Sequence, residues 1–129
     1  MKKYYKCSIC GNLLEVVEDG GNKPVCCSRT MDLLIPGDSD GAKEKHVPSC
    51  KVDGCKVKVC IGSEPHPMED EHYIEWISLE TDKGYYRKYL VDKIGDEATC
   101  CFKLKDNEKP LAVYAYCNLH GLWMCDLNK

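Results

Sequence analysis

The sequence predicts an all-β protein built of two unequal domains, and three observations support this prediction. No stretch of the chain shows sustained helical periodicity. After about residue 42, short segments rich in aromatic or β-branched residues alternate with turns of glycine, aspartate and lysine, a spacing typical of a β-sandwich. Before that point, two pairs of cysteines enclose very few apolar residues. This indicates a small first domain that a metal or a partner subunit must stabilise.

Residues 1–36 are expected to form the smaller domain. Its cysteines, Cys7/Cys10 and Cys26/Cys27, enclose an apolar segment at 13–17 and a glycine-rich turn at 19–22. This pattern predicts a strand, a turn and a second short strand. A loop or linker over residues 36–41 follows.

Residues 37–129 are expected to form the larger domain. Strands are predicted where aromatic and β-branched residues cluster or alternate with polar ones: 56–59, 73–79, 85–90, 99–104 and 111–117. Cys117 therefore ends a strand, at a domain edge where a binding site is often built.

Composition and charge exclude several classes of protein. The net charge of -3 argues against non-specific nucleic-acid binding, which needs clustered basic residues. The most apolar stretch, residues 111–119, is too short to span a bilayer. The eleven cysteines are an odd number, and the first residues show no apolar run of the kind found in export signals. Reduced, metal-binding thiols in the cytoplasm are therefore expected.

The first four cysteines provide four thiolates for one metal. Four sulfurs suit zinc or a single iron, and spacing alone favours a structural zinc site. The Cys7-x-x-Cys10 half can turn its backbone amides toward sulfur. Cys26 and Cys27 are adjacent, so they can share a metal only through a distorted turn, since successive strand residues face opposite sides. A redox disulfide at Cys7/Cys10 is disfavoured, because no thioredoxin-like pattern surrounds it.

The four histidines are candidate ligands of a second metal. His66 lies between Pro65 and Pro67, which exclude a helix, and His72 follows in a loop that leads into a strand. A tight turn could aim Cys117 and His120 at one metal, and thiolate with neutral imidazole suits iron, zinc or copper. Each histidine taken singly is more often a surface or core residue. Spacing alone does not bring His46, His66 and His72 to this pair.

Three motifs that contain all four histidines resemble the site motifs of superoxide reductases: Glu44-Lys45-His46-Val47-Pro48, His66-Pro67-Met68 followed after three residues by His72, and Cys117-Asn118-Leu119-His120-Gly121. The Cys7-x-x-Cys10 and Cys26-Cys27 pairs resemble the desulforedoxin-like domain of the two-iron members of that family, the desulfoferrodoxins. The resemblance covers nearly the whole chain, with the motifs in the same order.

This resemblance implies a desulforedoxin-like domain followed by an immunoglobulin-like β-sandwich. It implies two irons per chain, one bound by Cys7, Cys10, Cys26 and Cys27, and one by His46, His66, His72, His120 and Cys117. The implied activity is the one-electron reduction of superoxide to hydrogen peroxide, without dioxygen as a product, using a donor such as reduced rubredoxin. In this interpretation Lys45 attracts superoxide, and the Glu44 carboxylate helps peroxide to leave. A solvated lysine and a salt bridge of Glu44 are the alternatives.

Six cysteines have no place in these sites: Cys50, Cys55, Cys60, Cys100, Cys101 and Cys125. Most are expected to be small buried apolar residues, although a disulfide or a redox-sensing role stays open. A homodimer is expected, because the first domain is too small to cover its own apolar residues. The alternatives to an enzyme are a zinc-stabilised binding module and an iron protein that only transfers electrons.

Overall fold

The computed structural model describes residues 2–38, 41, 43–90, 92 and 94–128, without the side chain of Glu44. Its regular structure is all-β except for one helical turn, α1 (Lys43–His46), so the predicted fold class is confirmed. Among these residues no helix has the length and apolar character needed to cross a membrane. The chain divides into two compact units, residues 1–35 and 36–129. This division falls after residue 35, one residue before the boundary that the sequence analysis expected. The assignment of the two units to particular domain families stays a prediction.

The first unit consists of two small antiparallel sheets. In one, β1 (Tyr4–Lys6) lies between β2 (Leu13–Glu15) and β5 (Asp32–Leu33). In the other, β3 (Val25–Cys26) pairs with β4 (Arg29–Thr30). The predicted strands β2 and β3 are therefore present, but each pairs with another strand.

The core of the first unit is very small. Tyr5, Cys7 and Met31 are buried, and Val16 and Cys26 pack against them. Several large apolar side chains stay exposed, among them Val17 (84%) and Val25 (66%). So little buried apolar area contributes little stability, as the composition of residues 1–36 predicts.

In the described residues of the second unit, seven strands form a sandwich of two antiparallel sheets. The three-stranded sheet has the order β10-β7-β6 and consists of β6 (Pro48–Asp53), β7 (Lys56–Ile61) and β10 (Thr99–Lys103). The four-stranded sheet has the order β12-β11-β8-β9 and consists of β8 (Ile74–Thr81), β9 (Tyr85–Tyr89), β11 (Pro110–Cys117) and β12 (Gly121–Asp126). Seven strands in sheets of three and four also make up the constant-type immunoglobulin domain.

Alternation along the strands builds the core between the two sheets. In β7 the side chains of Val57, Val59 and Ile61 are buried, whereas the residues between them are exposed. In β8 and β11, Ile77, Leu79, Val113 and Ala115 lie in the same cluster. Apolar side chains of both sheets thus face each other, as a period of two predicts.

The strand register brings the ends of five strands to one end of the sandwich. Pro48 at the start of β6 pairs with Ile61 at the end of β7. Cys117 at the end of β11 pairs with Ile74 at the start of β8 and with Gly121 at the start of β12. The loops 62–73 and 118–120 therefore begin and end at these paired positions, and the helical turn α1 ends two residues before Pro48.

Two expectations need correction. None of the six additional cysteines is fully buried: Cys55, Cys60 and Cys101 are exposed, and Cys50, Cys100 and Cys125 are half-buried. Cys60 and Cys101 are exposed because they occupy outward positions of β7 and β10. The structure also has strands β6 and β12 and the turn α1, which the sequence pattern did not predict.

Candidate metal centres

Four cysteine sulfurs converge in the first unit. The Sγ atoms of Cys7, Cys10, Cys26 and Cys27 all lie within 4.8 Å of one another. The sulfurs of Cys10 and Cys26 are 3.6 Å apart. The amide of Cys10 points at the Cys7 sulfur (3.5 Å), so the expected orientation of the amides in the Cys7-x-x-Cys10 turn is present.

A two-residue turn allows adjacent cysteines to face the same point. Cys26 pairs with Arg29 across β3 and β4, so Cys27 and Ser28 form the connecting loop. Both have left-handed backbones, with φ of 52° and 61°. Positive φ at both central positions defines the type I′ hairpin turn, which usually requires glycine or asparagine. This is the distorted turn that the adjacent pair predicts, and it leaves the two sulfurs 4.0 Å apart.

The charges of these thiols fit a bound cation. Amides of Cys10 and Ile9 lower the pKa of Cys7 to about 6, so this sulfur ionises readily. Hydrogen bonding with the thiols of Cys10 and Cys7 raises the pKa of Cys26 and of Cys27. Several thiolates in such close contact are unfavourable without a positive charge between them. A metal ion supplies that charge and stabilises the deprotonated sulfurs.

A second group of ligand atoms lies at the end of the sandwich. Nitrogens of His46, His72 and His120 and the sulfur of Cys117 all lie within 4.8 Å of one another. His120 Nδ1 is 3.1 Å from His46 Nε2 and 4.0 Å from Cys117 Sγ. These residues come from α1, from the loop 62–73 and from the β11–β12 hairpin.

His66 lies beside this group, but it is not one of the residues whose ligand atoms all lie within 4.8 Å of one another. Its ring centroid is 4.5 Å from that of His46 and 4.7 Å from that of His72. Its Nδ1 lies 2.7 Å from the carbonyl oxygen of Pro67, which leaves Nε2 as the nitrogen available for another partner.

Two of these nitrogens are buried without a hydrogen-bond partner, namely His66 Nε2 and His72 Nε2. Burial lowers the pKa of His66 to about 4, so the ring is neutral near pH 7. Burial also lowers the pKa of His72, and the charges of His120 and Lys45 act in the same direction. A buried polar atom without a partner is costly, and a neutral imidazole nitrogen is the form that binds metals. The residues therefore fit a bound transition metal.

The β11–β12 hairpin explains the spacing of Cys117 and His120. Cys117 and Gly121 are opposite each other, so residues 118–120 form the loop. Gly121 has φ of 74°, a left-handed conformation that lets the chain reverse into β12. His120 is thereby turned back over the buried thiol of Cys117, and burial raises the pKa of that thiol.

Asn118 holds the hairpin against the loop that carries His72. Its side-chain oxygen accepts a hydrogen bond from the Tyr73 amide (2.9 Å), and its side-chain nitrogen donates to the Glu71 carbonyl (3.0 Å). Its amide donates to the Tyr73 carbonyl (3.2 Å). Three bonds from one residue thus fix the backbone on both sides of His72.

Gly41 and Met68 also position the site. A Cβ atom at Gly41 would lie 2.9 Å from His120 Cβ and 3.1 Å from His46 Cε1, so only glycine fits there without displacing a ring. Met68 anchors the loop between His66 and His72, because its side chain is buried in the core.

The residues expected to act on substrate are described only in part. Lys45 is exposed, and its positive charge contributes to the lowered pKa of His72, which places it near the site. The side chain of Glu44 lies outside the described part of the chain.

Sequence reasoning missed three positioning residues, namely Gly41, Asn118 and Trp123. Asn118 belongs to the motif Cys117-Asn118-Leu119-His120-Gly121, and its side-chain amide, which can both donate and accept hydrogen bonds, could have indicated a positioning role. Gly41 stood in a segment interpreted as a loop, and nothing local predicts which rings approach it. Trp123 follows His120 by three residues, stacks on the His46 ring and donates a hydrogen bond to the His120 carbonyl, and the first of these contacts depends on the position of His46.

Comparison with known proteins identifies the family. Residues 38–126 match the family described as desulfoferrodoxin, and residues 1–34 match the desulfoferrodoxin N-terminal domain. A desulfoferrodoxin from Nitratidesulfovibrio vulgaris is 47% identical over 122 residues, which are 95% of this chain and 94% of that protein. A superoxide reductase from Pyrococcus abyssi is 37% identical and covers 71% of this chain and 91% of its own length.

A solved structure has a similar fold over the whole chain. The superoxide reductase from Treponema pallidum is 34% identical, with a TM-score of 0.78, and the match covers 98% of this chain and 99% of that one. Desulfoferrodoxin domains bind two irons, and the four-cysteine group and the group of three histidines with Cys117 stand where these irons are expected. The chain belongs to the desulfoferrodoxin family.

Proposed function

We propose that this protein is a superoxide reductase. Each superoxide would take up one electron and two protons to give hydrogen peroxide, and no dioxygen would form. The observation that carries the proposal is the convergence of His46, His72, Cys117 and His120 in a desulfoferrodoxin-family chain. Relatives named superoxide reductase, similar in sequence or in structure, support it.

We assign the ligands of the two irons as follows. The first iron would be held by Cys7, Cys10, Cys26 and Cys27, and the second by His46, His66, His72, His120 and Cys117. Inclusion of His66 is supported by its buried, unpartnered Nε2 and by its neutral ring. Iron in the second site supplies the one-electron couple that the reaction needs.

The surrounding residues are proposed to orient the histidine ligands, attract superoxide and help peroxide to leave. The carbonyl of Pro67 and the bonds of Asn118 keep the His66 ring and the His72 loop in place before substrate arrives. The ammonium group of Lys45 is proposed to attract superoxide, because a local cation raises the concentration of an anion even where the whole chain is acidic. The carboxylate of Glu44 is proposed to help peroxide to leave.

Partners and location remain proposals. An electron donor such as reduced rubredoxin is proposed. A homodimer is supported by the exposed apolar side chains of the first unit, among them Leu14, Val17, Val25 and Ile35. Light scattering on the purified protein tests this dimer. A cytoplasmic location stays a prediction from the composition.

The decisive experiment exposes the reduced, iron-loaded protein to a known flux of superoxide and measures peroxide and dioxygen together. We expect one peroxide per superoxide consumed and no dioxygen from the enzyme. Cys117→Ser is the control and should lose nearly all activity. Dioxygen formed together with peroxide would indicate dismutation instead, and no peroxide would indicate an electron-transfer protein. A protein isolated with zinc alone would contradict the assignment of both sites.

A further inference from the structure

Two cysteines outside the metal sites lie on β6 and β12, two strands that approach each other at one edge of the sandwich. Cys50 in β6 pairs in register with Val59, and Cys125 in β12 pairs with Val113. Paired residues on neighbouring strands point to the same face of a sheet. Val59 and Val113 are buried in the core, at 1% and 0% exposure. The thiols of Cys50 and Cys125 therefore point inward from opposite sheets.

The two strands that carry them meet at one edge of the sandwich. β6 is the last strand of the three-stranded sheet, and β12 is the first of the four-stranded sheet. Residues of the two strands approach to within 8 Å between Cα atoms. Burial, followed by the charge of Cys125 and a hydrogen bond with it, raises the pKa of Cys50. Both thiols are free, and each points inward from a strand at this shared edge.

Neither of the two other nearby thiols can replace Cys125 as the partner. Cys100 pairs with Val59 from the opposite side, so β7 lies between Cys100 and Cys50. Two strand spacings amount to about 9–10 Å between Cα atoms. A disulfide needs Cα atoms within about 7 Å. Cys60 occupies an exposed, outward position of β7 and faces away from Cys50.

We propose that Cys50 and Cys125 are a dithiol that closes to a disulfide between the two sheets when peroxide is present. Both S–H bonds break and one S–S bond forms. The two electrons and two protons pass to hydrogen peroxide, whose O–O bond breaks to give two waters. Only the source of the peroxide rests on the proposed function, since the protein would make it at the histidine site, from which the same two strands lead away.

The position of the pair links it to the metal site. Cys50 follows His46 by four residues along the chain, and Cys125 follows His120 by five. A bond between them restrains the two strands that lead away from these histidines. It also closes a long loop, which stabilises the folded state by restricting the unfolded chain. The disulfide therefore acts as a reversible brace that forms under oxidising conditions.

The test adds hydrogen peroxide directly to the reduced, iron-loaded, full-length protein, so no superoxide turnover is needed. Free thiols are then alkylated, and the digested protein is analysed by mass spectrometry. We expect a linked pair of peptides that contain Cys50 and Cys125, lighter by two hydrogens and separated again by a thiol reductant. The midpoint of thermal unfolding should rise with formation of this link.

Matched variants make the result specific. Cys100→Ala should keep the linked peptides, whereas Cys50→Ala and Cys125→Ala should lose both the link and the rise in the unfolding midpoint. The proposal is wrong if Cys50 and Cys125 remain fully alkylated after peroxide has oxidised the exposed Cys60 or Cys101. A link from Cys50 to Cys100 would also overturn it. Because peroxide is supplied, an absence of reductase activity would leave this test valid.

Discussion

The indole of Trp123 stacks on the imidazole of His46, with ring centroids 4.8 Å apart and ring planes inclined by 27°. The same indole donates its Nε1–H to the backbone carbonyl of His120, at 3.1 Å. Trp123 is 1% exposed. One buried side chain therefore positions two proposed ligands that lie 74 residues apart in the chain.

Replacing Trp123 should separate its packing from its hydrogen bond. Trp123→Ala should lower the free energy of unfolding by about 3–5 kcal/mol, because a large buried ring is lost. Trp123→Phe keeps an aromatic ring against His46 and should lose less, although its smaller ring leaves some space. Both lose the bond to His120. Denaturant unfolding and the absorption of the bound iron measure the two effects. Equal stability of Trp123→Ala and the parent would contradict the positioning role.

Asn118→Ala should loosen the loop that carries His72. Two side-chain hydrogen bonds are removed, each of which contributes about 0.5–1.5 kcal/mol, so we expect a loss of about 1–3 kcal/mol. Asn118→Asp is the control, because it keeps the acceptor for the Tyr73 amide and loses only the donor to Glu71. Iron affinity should be highest in the parent, lower in Asn118→Asp and lowest in Asn118→Ala. An unchanged affinity in Asn118→Ala would show that the loop is held by other contacts.

Gly41→Ala should disturb the site without changing its ligands. The new methyl group would lie 2.9 Å from His120 Cβ, which cannot move without the backbone of the hairpin. We expect weaker iron binding and a shifted visible spectrum. Gly20→Ala is the matched control, since a methyl group there meets nothing within 4 Å. If both variants bind iron like the parent, the close approach of Gly41 has no consequence.

Lys45→Ala should slow the reaction with superoxide by a factor of about 3 to 10 at low ionic strength, because a local cation is lost. The difference from the parent should shrink as salt is added, since screening weakens the attraction. Lys58→Ala removes an exposed lysine from the outer face of β7 and serves as the control. Rapid mixing with superoxide gives the rates. A Lys45→Ala rate equal to the parent rate at low salt would exclude the attraction.

Glu108 should make the stability of the sandwich depend on pH. The hydroxyl of Thr81 and the amide of Lys105 donate hydrogen bonds to its carboxylate and, with the Tyr86 hydroxyl, lower its pKa. The ionised form is therefore bound more tightly in the folded state. Its contribution is present above the ordinary glutamate pKa of about 4.3 and is lost as the pH falls through the lower folded value.

Glu108→Gln removes this titration. Denaturant unfolding measured between about pH 6 and pH 3 should show a shallower loss of stability in Glu108→Gln than in the parent. The variant should also be less stable at neutral pH, where the parent carboxylate is charged and fully hydrogen-bonded. Identical pH profiles would show that other carboxylates dominate acid unfolding.

The sequence predicted the strands whose signal is local. The alternation at 56–59 and the aromatic and β-branched segments at 73–79, 85–90, 99–104 and 111–117 correspond to β7, β8, β9, β10 and β11. β6 and β12 escaped detection, whereas the other two edge strands, β9 and β10, were predicted. β6 begins with Pro48 and has a single β-branched residue, Val52, and in β12 the neighbouring Leu122 and Trp123 are both buried, so neither matches the strand patterns used for prediction.

The site was predictable to a different degree at each residue. The spacing of Cys117 and His120 is local, because a three-residue hairpin loop sets it. Motif resemblance, and not spacing, brought His46 and His72 into the same site, since their approach depends on strand register over many residues. The contacts of Gly41 and Trp123 arise only once the sheets have packed, and no local pattern encodes them.

The left-handed turn at Cys27–Ser28 belongs to the four-cysteine site, and the hairpin at Cys117–Gly121 belongs to the histidine site. The ligands of the first site are close together in the sequence, whereas those of the second are far apart. The cysteine site spans only residues 7–27, so a nascent chain can assemble it as soon as this segment is free in solution. The histidine site joins residues 46 to 120 and requires both sheets to be in place, because its ligands are brought together by long-range pairing. The two metals should therefore enter at separate stages of biogenesis, the first during synthesis and the second after the sandwich has closed.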